Sequence, residues 1–474
     1  MTAKYYLTTT LPYVNSDPHI GFALEIVQAD ALARYHALLG EEVIFNFGTD
    51  EHGQKIYQQA LKAQQDPQAY CDEFAAKFAD LKTLLTLSYD KFIRTTDPHH
   101  ILAAQEFWRR VDQHGYIYKK NYQTKYCVGC ELEKTDSDLV NGRCPLHPNR
   151  ELELREEENY FFKFSAFQQP LLDFYSAHPD FVQPSSKYKE IISFVGQGLQ
   201  DFSISRLKAK MPWGIAVPGD DEHVMYVWFD ALINYISTLG WPEQTDTFNQ
   251  FWPGTQVCGK DNLRQQSAMW QAMLMAANLP NSRQILINGF INVAGQKMSK
   301  SLGNVISPVE MVAKYGSQPT RYLLISLGTF GEDMDATWDR FSTLYTSNLT
   351  NGLGNLCSRI AKLCEKNGSD FEIIQPSFNP NWLNLMNESQ LSSALVLIND
   401  AVNNLDGFLN QHQPWKQELV SQTQTLRQAR KKIISIGYHL QPFMPKTAEQ
   451  ILAHFNQSKI TALQPLFPRL ASPS

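Results

Sequence analysis

The feature that most constrains the fold is the alternation of strand and helix patterns at the start of the chain. Residues 4–10 (KYYLTTT) predict a buried strand, a turn with two prolines follows, and helical periodicity runs from about residue 19 to residue 39, before Gly40. A second apolar run, VIFNF, comes next. Strand, helix and strand in this order predict an α/β fold with a Rossmann-type parallel sheet, whose ligands bind beyond the carboxyl ends of the strands.

Changes of pattern divide the chain into four predicted segments. Residues 1–114 form the first half of the sheet domain, and 115–222 form an inserted module with turns and a possible metal knuckle at 127–147. Residues 223–334 return to the α/β pattern and form the second half. From 335 to 474 apolar residues recur at helical spacing without a strong strand signal, which predicts an all-α helical bundle.

Composition excludes several classes of protein. The chain is 43% hydrophobic and 19% charged, which is typical of folded globular proteins and far from disordered ones. No stretch reaches the roughly 18 apolar residues that a membrane span needs, and the N-terminal residues do not resemble a signal peptide. We therefore expect a cytoplasmic protein with no membrane partner. The formal net charge of −6 neither requires nor excludes nucleic acid bound along a local basic face.

The inserted module carries two pairs of potential metal ligands. Cys127 and Cys130 are separated by two residues, and so are Cys144 and His147. This spacing suits tetrahedral zinc, and four protein ligands would close the coordination shell, so we expect one structural Zn²⁺ per protomer. The alternative is a set of metal-free thiols, which requires both pairs to share the spacing by chance.

Two short motifs point to phosphate chemistry. Pro18-His19-Ile20-Gly21 stands at a predicted helix N-terminus, where backbone N–H groups and the helix dipole favour an anion. Lys297-Met298-Ser299-Lys300-Ser301 lies in a glycine-flanked loop whose lysines could neutralise a polyphosphate. Taken alone, the first motif is better explained by a histidine that caps or packs at a helix start, and the second could be a solvated basic turn. Together, on opposite halves of one sheet, they are far more specific.

These motifs resemble the two signatures of class I aminoacyl-tRNA synthetases. The segments LPYVNSDPHIG, GTDEHG, YVWFDAL, CGKD, QKMSKSLGN and QPFMPKTAEQI narrow the resemblance to the methionyl-tRNA synthetase family, in the family's order and over nearly the whole chain. The resemblance implies an enzyme that activates methionine with ATP and transfers it to the 3′ end of elongator and initiator methionine tRNAs. It also implies Mg²⁺ bound with ATP, and a zinc knuckle in the insertion. The short tail after QPFMPKTAEQI leads us to expect a monomer.

The resemblance assigns a nucleotide site. It implies catalytic roles for His19, Lys297 and Lys300, and ATP contacts from His19, Gly21, Glu25, Gly259, Asp261 and Lys300. The position of Gly259 and Asp261 just after a predicted strand supports this, because a small residue admits a nucleotide and a carboxylate accepts ribose hydroxyls. The alternative is an ordinary polar turn.

The resemblance also implies a methionine pocket, formed by Leu11, Tyr13, Asp50, Trp228, Ala231, Tyr235, Gln266 and Trp270. Aromatic faces suit a polarizable thioether, and Asp50, in a loop after a strand, would receive the ammonium group. For Tyr235 and Trp270 taken singly, a place in the hydrophobic core explains the residue equally well.

In the helical domain the resemblance assigns anticodon binding to Asn355, Arg359 and Trp415. Asn355 and Arg359 are four residues apart and share a helix face, and an indole can stack on an unpaired base. Without the resemblance, Trp415 is equally an anchor for helix packing.

Three positions depart from the family's pattern. Phe22 stands where a second histidine is common, and phenylalanine cannot donate a hydrogen bond to phosphate. Asn262 and Gln266 stand where an aliphatic residue and a histidine are expected, although Gln266 still offers a donor and an acceptor. These departures leave an alternative function open, that of a catalytically impaired paralogue that binds RNA or small ligands.

Overall fold

The computed structural model describes residues 2–134, 138–298 and 303–470. Within them the strands are β1 (Lys4–Thr9), β2 (Glu42–Thr49), β3 (Lys91–Arg94), β4 (Ile117–Cys127), β5 (Leu132–Lys134), β6 (Glu153–Phe162), β7 (Val182–Gln183), β8 (Phe202–Ser203), β9 (Ser205–Leu207), β10 (Ala216–Val217), β11 (Asp220–Met225), β12 (Thr255–Gly259), β13 (Gln284–Asn288), β14 (Ile291–Val293), β15 (Gln296–Lys297) and β16 (Met334–Asp335).

The helices of the same residues alternate with the strands in the first two-thirds of the chain and continue alone after β16. They are α1 (Ile20–Leu38), α2 (Gln54–Lys62), α3 (Pro67–Ala79), α4 (Leu81–Leu84), α5 (Pro98–Gln113), α6 (Gln168–Ala177), α7 (Ser185–Gly196), α8 (Val227–Ala231), α9 (Asn234–Ser237), α10 (Thr245–Phe251), α11 (Trp270–Ala276), α12 (Pro308–Tyr315), α13 (Ser317–Ile325), α14 (Trp338–Leu344), α15 (Asn355–Asn367), α16 (Pro380–Asn387), α17 (Leu391–His412), α18 (Leu419–Leu440) and α19 (Pro445–Phe455). None of these helices has the length and apolar character that crossing a membrane requires.

The central sheet is parallel throughout, in the order β3-β2-β1-β12-β13-β7. Its order reverses between β1 and β12, which is where open α/β sheets bind their ligands. Strand β1 runs into this crevice with Leu7 fully buried, and Thr9 pairs with Val257 of β12. The Rossmann-type sheet predicted from the sequence is confirmed.

The inserted module builds its own antiparallel sheet, in the order β5-β4-β6-β8, beside a smaller one, β10-β11-β9. Strand β7 is different, because Val182 and Gln183 pair with Ile285 and Leu286 and extend the central sheet at its edge. Part of the segment between residues 115 and 222 therefore belongs to the sheet domain. A two-residue strand carries no periodic pattern, so the sequence could not have predicted it.

The predicted C-terminal helical region is confirmed by α14–α19, and a buried ion pair connects it with the sheet domain. Arg321 of α13 lies 2.7 Å from Asp30 of α1 and donates hydrogen bonds to the backbone oxygens of Pro442 and Phe443. Both charged side chains are fully buried. Arg321 thus joins α1 to the turn between α18 and α19, and removing either charged partner would leave an uncompensated buried charge.

Candidate active site and metal centre

A cavity of about 220 Å³ lies beyond the carboxyl ends of β1, β12 and β13 and under the β14–β15 hairpin. The sequence-predicted residues His19, Gly21, Glu25, Gly259, Asp261 and Lys297 all line it. The other lining residues are Thr10, Phe22, Leu24, Asn262, Asn288, Gly289, Phe290, Ile291 and Met298. Lys300 lies outside the described residues. The fold thus brings together two motifs that are 278 residues apart between His19 and Lys297.

His19 is the N-cap of α1, with an extended backbone, and its Nδ1 accepts a hydrogen bond from the Gly21 N–H at 3.0 Å. A Cβ at position 21 would lie 2.7 Å from His19 Cε1, so only glycine lets the imidazole fold over the helix start. Phe22 stacks on the same imidazole with ring centroids 4.4 Å apart. Phe22 therefore orients His19, a role that the sequence did not indicate.

Glu25 extends from the first turns of α1 toward the cavity. Its Oε1 accepts a hydrogen bond from the Thr10 N–H at 2.9 Å. Burial, together with the nearby carboxylate of Asp261, raises the pKa of Glu25 to about 8. Asp261 is itself exposed at the cavity mouth, and a Cβ on Gly259 would lie 2.6 Å from its Oδ1. Glycine at 259 thus leaves space beside an acceptor carboxylate.

Two lysines flank the Phe290 ring, and they differ in whether a close ion pair already engages the charge. Lys260 Nζ lies 4.2 Å from the ring centroid and pairs with Asp333 at 2.6 Å. Lys297 Nζ lies 4.7 Å from the same centroid, is exposed, and forms no close ion pair among the described residues, although its charge partly offsets the rise that burial causes in the pKa of the nearby Asp261. Asp335 holds the hairpin turn by accepting the Gly295 N–H at 2.7 Å. Lys297 is therefore the cation of this pair that can meet a phosphate.

Asp50 follows β2 and pairs with Tyr13, which follows β1. Its side chain is 3% exposed, and Oδ1 has no hydrogen-bond partner among the described residues. Burial, with the neighbouring carboxylates of Asp230 and Glu131, raises the pKa of Asp50 well above its ordinary value. A buried carboxyl in this state is compensated best by a bound cation.

A buried carboxylate, Asp230, fixes the Asp50 loop against α8. Its two oxygens meet His52 Nδ1 at 2.6 Å and His100 Nε2 at 2.8 Å. Burial alone would raise the pKa of Asp230, but the two imidazoles outweigh it and hold that pKa below its ordinary value. Asp230 also lies between Trp228, half-buried, and Ala231, buried, so the contact sets α8 beside the loop that carries Asp50.

Tyr235 and Gln266 belong to a chain of buried amides. Gln266 Nε2 donates to the Tyr235 hydroxyl at 2.5 Å, Gln256 Nε2 donates to Gln266 Oε1 at 3.0 Å, and Ser282 Oγ donates to Gln256 Oε1 at 2.6 Å. Trp270 packs edge-on against Tyr235 with ring centroids 5.9 Å apart. Both polar atoms of the Gln266 side chain are engaged in this chain of hydrogen bonds, so Gln266 holds the Tyr235 hydroxyl in place.

None of the eight residues predicted to form the methionine pocket lines the nucleotide cavity. Tyr235 and Trp270 both belong to the hydrophobic core, with at most 2% exposed, and Leu11 is also buried. The core explanation and the pocket explanation are thus both compatible with their burial. Their contact with methionine stays a prediction.

The four expected metal ligands converge. The ligand atoms of Cys127, Cys130, Cys144 and His147 lie within 4.8 Å of one another. Cys130 Sγ is 3.4 Å from Cys144 Sγ and 3.1 Å from His147 Nδ1, near the roughly 3.5–3.8 Å between ligands of a tetrahedral zinc site. A Cβ on Gly129 would lie 2.5 Å from the His147 ring, so this glycine makes room for the ligand. The cluster could hold one metal ion.

On the helical domain the structure brings Arg359 and Trp415 together. The Arg359 guanidinium lies 4.7 Å from the indole centroid and donates to Asp406 at 2.9 Å and to Asn410 at 2.8 Å. Trp415 is 44% exposed, which argues against a buried packing anchor. Asn355 is exposed at the start of α15, one turn before Arg359.

The sequence did not indicate the residues that hold the predicted ones in place, among them Asp230, Gln256, Asp406 and Glu131, nor the role of Phe22. His52 and Asp230 lie in the recognised segments GTDEHG and YVWFDAL, which was a usable signal. Gln256 and Asp406 carried no signal, because their partners are distant in sequence or ordinary helix residues. Asn288 lines the cavity with neither side-chain polar atom bonded among the described residues, and it was also missed.

Comparison with known proteins agrees with this geometry. The family model described as tRNA synthetases class I (M) matches residues 5–151 and 133–361, which defines the chain as a class I tRNA synthetase. A methionine–tRNA ligase of Thermosynechococcus vestitus is 40% identical, covering 97% of this chain and 91% of its own length. One from Rickettsia bellii is 36% identical, covering 99% and 96%. The chain belongs to the methionine–tRNA ligase family.

Solved structures support the same assignment. The chain matches Mycobacterium tuberculosis methionyl-tRNA synthetase in complex with methionyl-adenylate with a TM-score of 0.91 and 32% identity, over 99% of this chain and 100% of the other. The free form of that enzyme matches with a TM-score of 0.84 and 28% identity, over 100% and 99%. The activity of the chain is that of an aminoacyl-tRNA synthetase, a methionine–tRNA ligase.

Proposed function

We propose that the cavity beyond β1, β12 and β13 binds ATP and that the residues around Asp50 bind methionine, so that methionyl-adenylate forms between them. The observation that carries the proposal is the convergence of His19, Glu25, Gly259, Asp261 and Lys297 on one cavity. Thr10 lines this cavity, and Tyr13, three residues later, pairs with Asp50. One short segment therefore joins the two proposed subsites.

In the first step the methionine carboxylate attacks the α-phosphorus of ATP. A carboxyl oxygen–phosphorus bond forms, the bond from that phosphorus to the β-bridging oxygen breaks, and pyrophosphate leaves with Mg²⁺. This reaction needs no side-chain nucleophile. Catalysis comes from orientation, from positive charge supplied by the N-terminus of α1, Lys297 and Lys300, and from His19, whose Nε2–H can donate a hydrogen bond to phosphate while its Nδ1 accepts from Gly21. The position of Lys297 in the cavity lining, exposed and without a close ion pair among the described residues, supports its role.

Asp50 receives the methionine ammonium group in this proposal. The support is its buried carboxyl, with an unbonded Oδ1 and a raised pKa, since an ammonium ion bound there would favour the ionised form that burial disfavours. Tyr13 and Trp228 are half-buried beside it, on the segments that the Asp50 pairing and the Asp230 contact fix. We assign the thioether to the aromatic side of this pocket, near Tyr235.

In the second step the 3′-terminal ribose hydroxyl of tRNA attacks the adenylate carbonyl, and AMP leaves. We assign anticodon reading to Asn355, Arg359 and Trp415. An exposed indole next to a restrained guanidinium offers a stacking face and a fixed set of hydrogen-bond donors, which suit an unpaired base.

We assign Zn²⁺ to the cluster of Cys127, Cys130, Cys144 and His147. Three thiolates and one imidazole at these separations fit tetrahedral zinc, and four protein ligands make the ion structural. When bound, it holds the knuckle folded. A cytoplasmic location and a monomeric state stay predictions.

The two lysines beside Phe290 provide a matched test. In methionine-dependent ATP–pyrophosphate exchange, Lys297→Ala should lower kcat by about 10²–10³-fold, because it removes a cation aimed at developing phosphate charge. Lys260→Ala removes an ion-paired cation from the same ring and should cost less than about fivefold. Equal effects of the two substitutions would contradict the assignment of Lys297.

A further inference from the structure

Glu131 directly follows the metal ligand Cys130 and has an unusual backbone. Its φ is 50°, in the left-handed region that residues other than glycine and asparagine rarely adopt. Only 1% of the residue is exposed to solvent. Such a conformation costs on the order of 1 kcal/mol or more, so surrounding contacts must stabilise it.

Those contacts lie on the amino-acid side of the sheet domain. Glu131 Oε1 accepts a hydrogen bond from the Lys55 N–H at 2.6 Å, at the second position of α2. Gly53, the N-cap of α2, makes no side-chain cap of its own, and a Cβ there would lie 2.5 Å from Glu131 Oε2. The carboxylate of Glu131 thus caps α2 from another segment, where the helix dipole favours negative charge.

Glu131 also contacts the two walls of the proposed methionine pocket. Its Oε2 lies 3.5 Å from the Tyr13 hydroxyl, which donates to it. Its backbone oxygen accepts a hydrogen bond from the hydroxyl of Tyr226, the N-cap of α8. Helix α8 carries Trp228 and Ala231, and Gly53 closes the loop that carries Asp50. One residue therefore bridges both walls.

We propose that Glu131 is a positioning residue through which the metal centre holds the amino-acid pocket in shape. Because Cys130 is a ligand, a bound metal fixes the backbone on one side of Glu131, and the carboxylate then fixes α2 and Tyr13. Loss of the metal releases Cys130, and with it the cap on α2. The inference rests on the proposed methionine site, and it assigns the knuckle a role in the affinity for methionine.

The test compares Glu131→Ala with Glu151→Ala, an exposed carboxylate of the same insertion. Glu131→Ala should keep its zinc and raise the KM for methionine about tenfold, the worth of a lost cap and hydrogen bond, with the KM for ATP nearly unchanged. Glu131→Gln keeps an oxygen acceptor for the Lys55 N–H and should resemble the parent. Stripping zinc should raise the parent's KM in the same direction and add little in Glu131→Ala.

Amide hydrogen exchange supplies a readout that does not depend on activity. The amides of residues 54–57 should exchange faster in Glu131→Ala and in the zinc-stripped parent than in Glu151→Ala. Unchanged exchange there, or a KM for methionine equal to that of Glu151→Ala, would overturn the inference even in a fully active enzyme. If Glu131→Ala does not fold, exchange in the zinc-stripped parent decides alone. A parent inactive with methionine refutes the proposed function instead.

Discussion

The guanidinium of Arg359 lies 4.7 Å from the indole centroid of Trp415, and Asp406 and Asn410 hold it there. The two side chains come from α15 and from the turn after α17, so helix packing has placed a cation over an exposed aromatic ring. Such a pair loses little side-chain entropy when a base stacks on it, because the guanidinium is already restrained.

Trp415→Ala should therefore separate the two steps of the reaction. The efficiency of tRNA charging should fall by a factor that corresponds to one lost base stack, on the order of 1–3 kcal/mol of binding free energy. The rate of adenylate formation should stay near that of the parent. Aminoacylation and ATP–pyrophosphate exchange are measured side by side. Trp415→Phe should recover part of the loss, and Val420→Ala, an exposed apolar residue nearby, should lose nothing. A parallel loss of both activities in Trp415→Ala would return the residue to a packing role.

The state of Asp50 leads to a pH dependence. Because burial raises its pKa well above the ordinary value, Asp50 in the free protein stays protonated to a higher pH than an exposed carboxyl does. An ammonium group favours the carboxylate, so binding of methionine lowers this pKa and releases a proton. The affinity for methionine should thus increase as the pH rises from the ordinary carboxyl range toward the raised pKa.

Calorimetry in two buffers checks this prediction. The apparent binding enthalpy should differ between phosphate and Tris buffers by the difference in their ionisation enthalpies, and Asp50→Asn should remove this difference along with most of the affinity. Identical enthalpies for the parent in both buffers would show that Asp50 is already ionised.

Gly129 provides a test of the metal centre that leaves every ligand in place. Gly129→Ala puts a Cβ 2.5 Å from the His147 ring and should displace that ligand. The purified parent should carry about one zinc per chain, and Gly129→Ala substantially less. Gly196→Ala, where a Cβ meets nothing within 4 Å, is the control. Full zinc occupancy in Gly129→Ala would show that His147 can move, or that it is not a ligand.

The sequence predicted the parts of this molecule that local patterns specify. The strand at residues 4–9 follows from its apolar run, helix α1 follows from a long helical run that ends before Gly40, and the metal cluster follows from the spacing of its ligands. The β7 edge strand could not be predicted, since two residues carry no period. The same holds for Gln256, because its hydrogen bonds to Gln266 and Ser282 form only in the folded chain.

Phe22 illustrates the difference between chemistry and placement. The residue type shows only that Phe22 cannot donate a hydrogen bond to phosphate, and it does not show where the ring lies. The structure adds that its ring stacks on His19 and packs edge-on against Phe78 at 5.7 Å. Aromatic packing thus orients the neighbouring histidine.

The most direct test of the whole account is ATP–pyrophosphate exchange by the zinc-loaded parent with methionine, leucine, valine and cysteine in turn. A thioether-binding pocket with a single ammonium acceptor should give methionine a kcat/KM about 100-fold or more above each of the other three. Exchange with none of the four, in protein that is folded and carries zinc, would contradict adenylate formation and favour a binding-only paralogue. Equal exchange with leucine would contradict the assigned pocket.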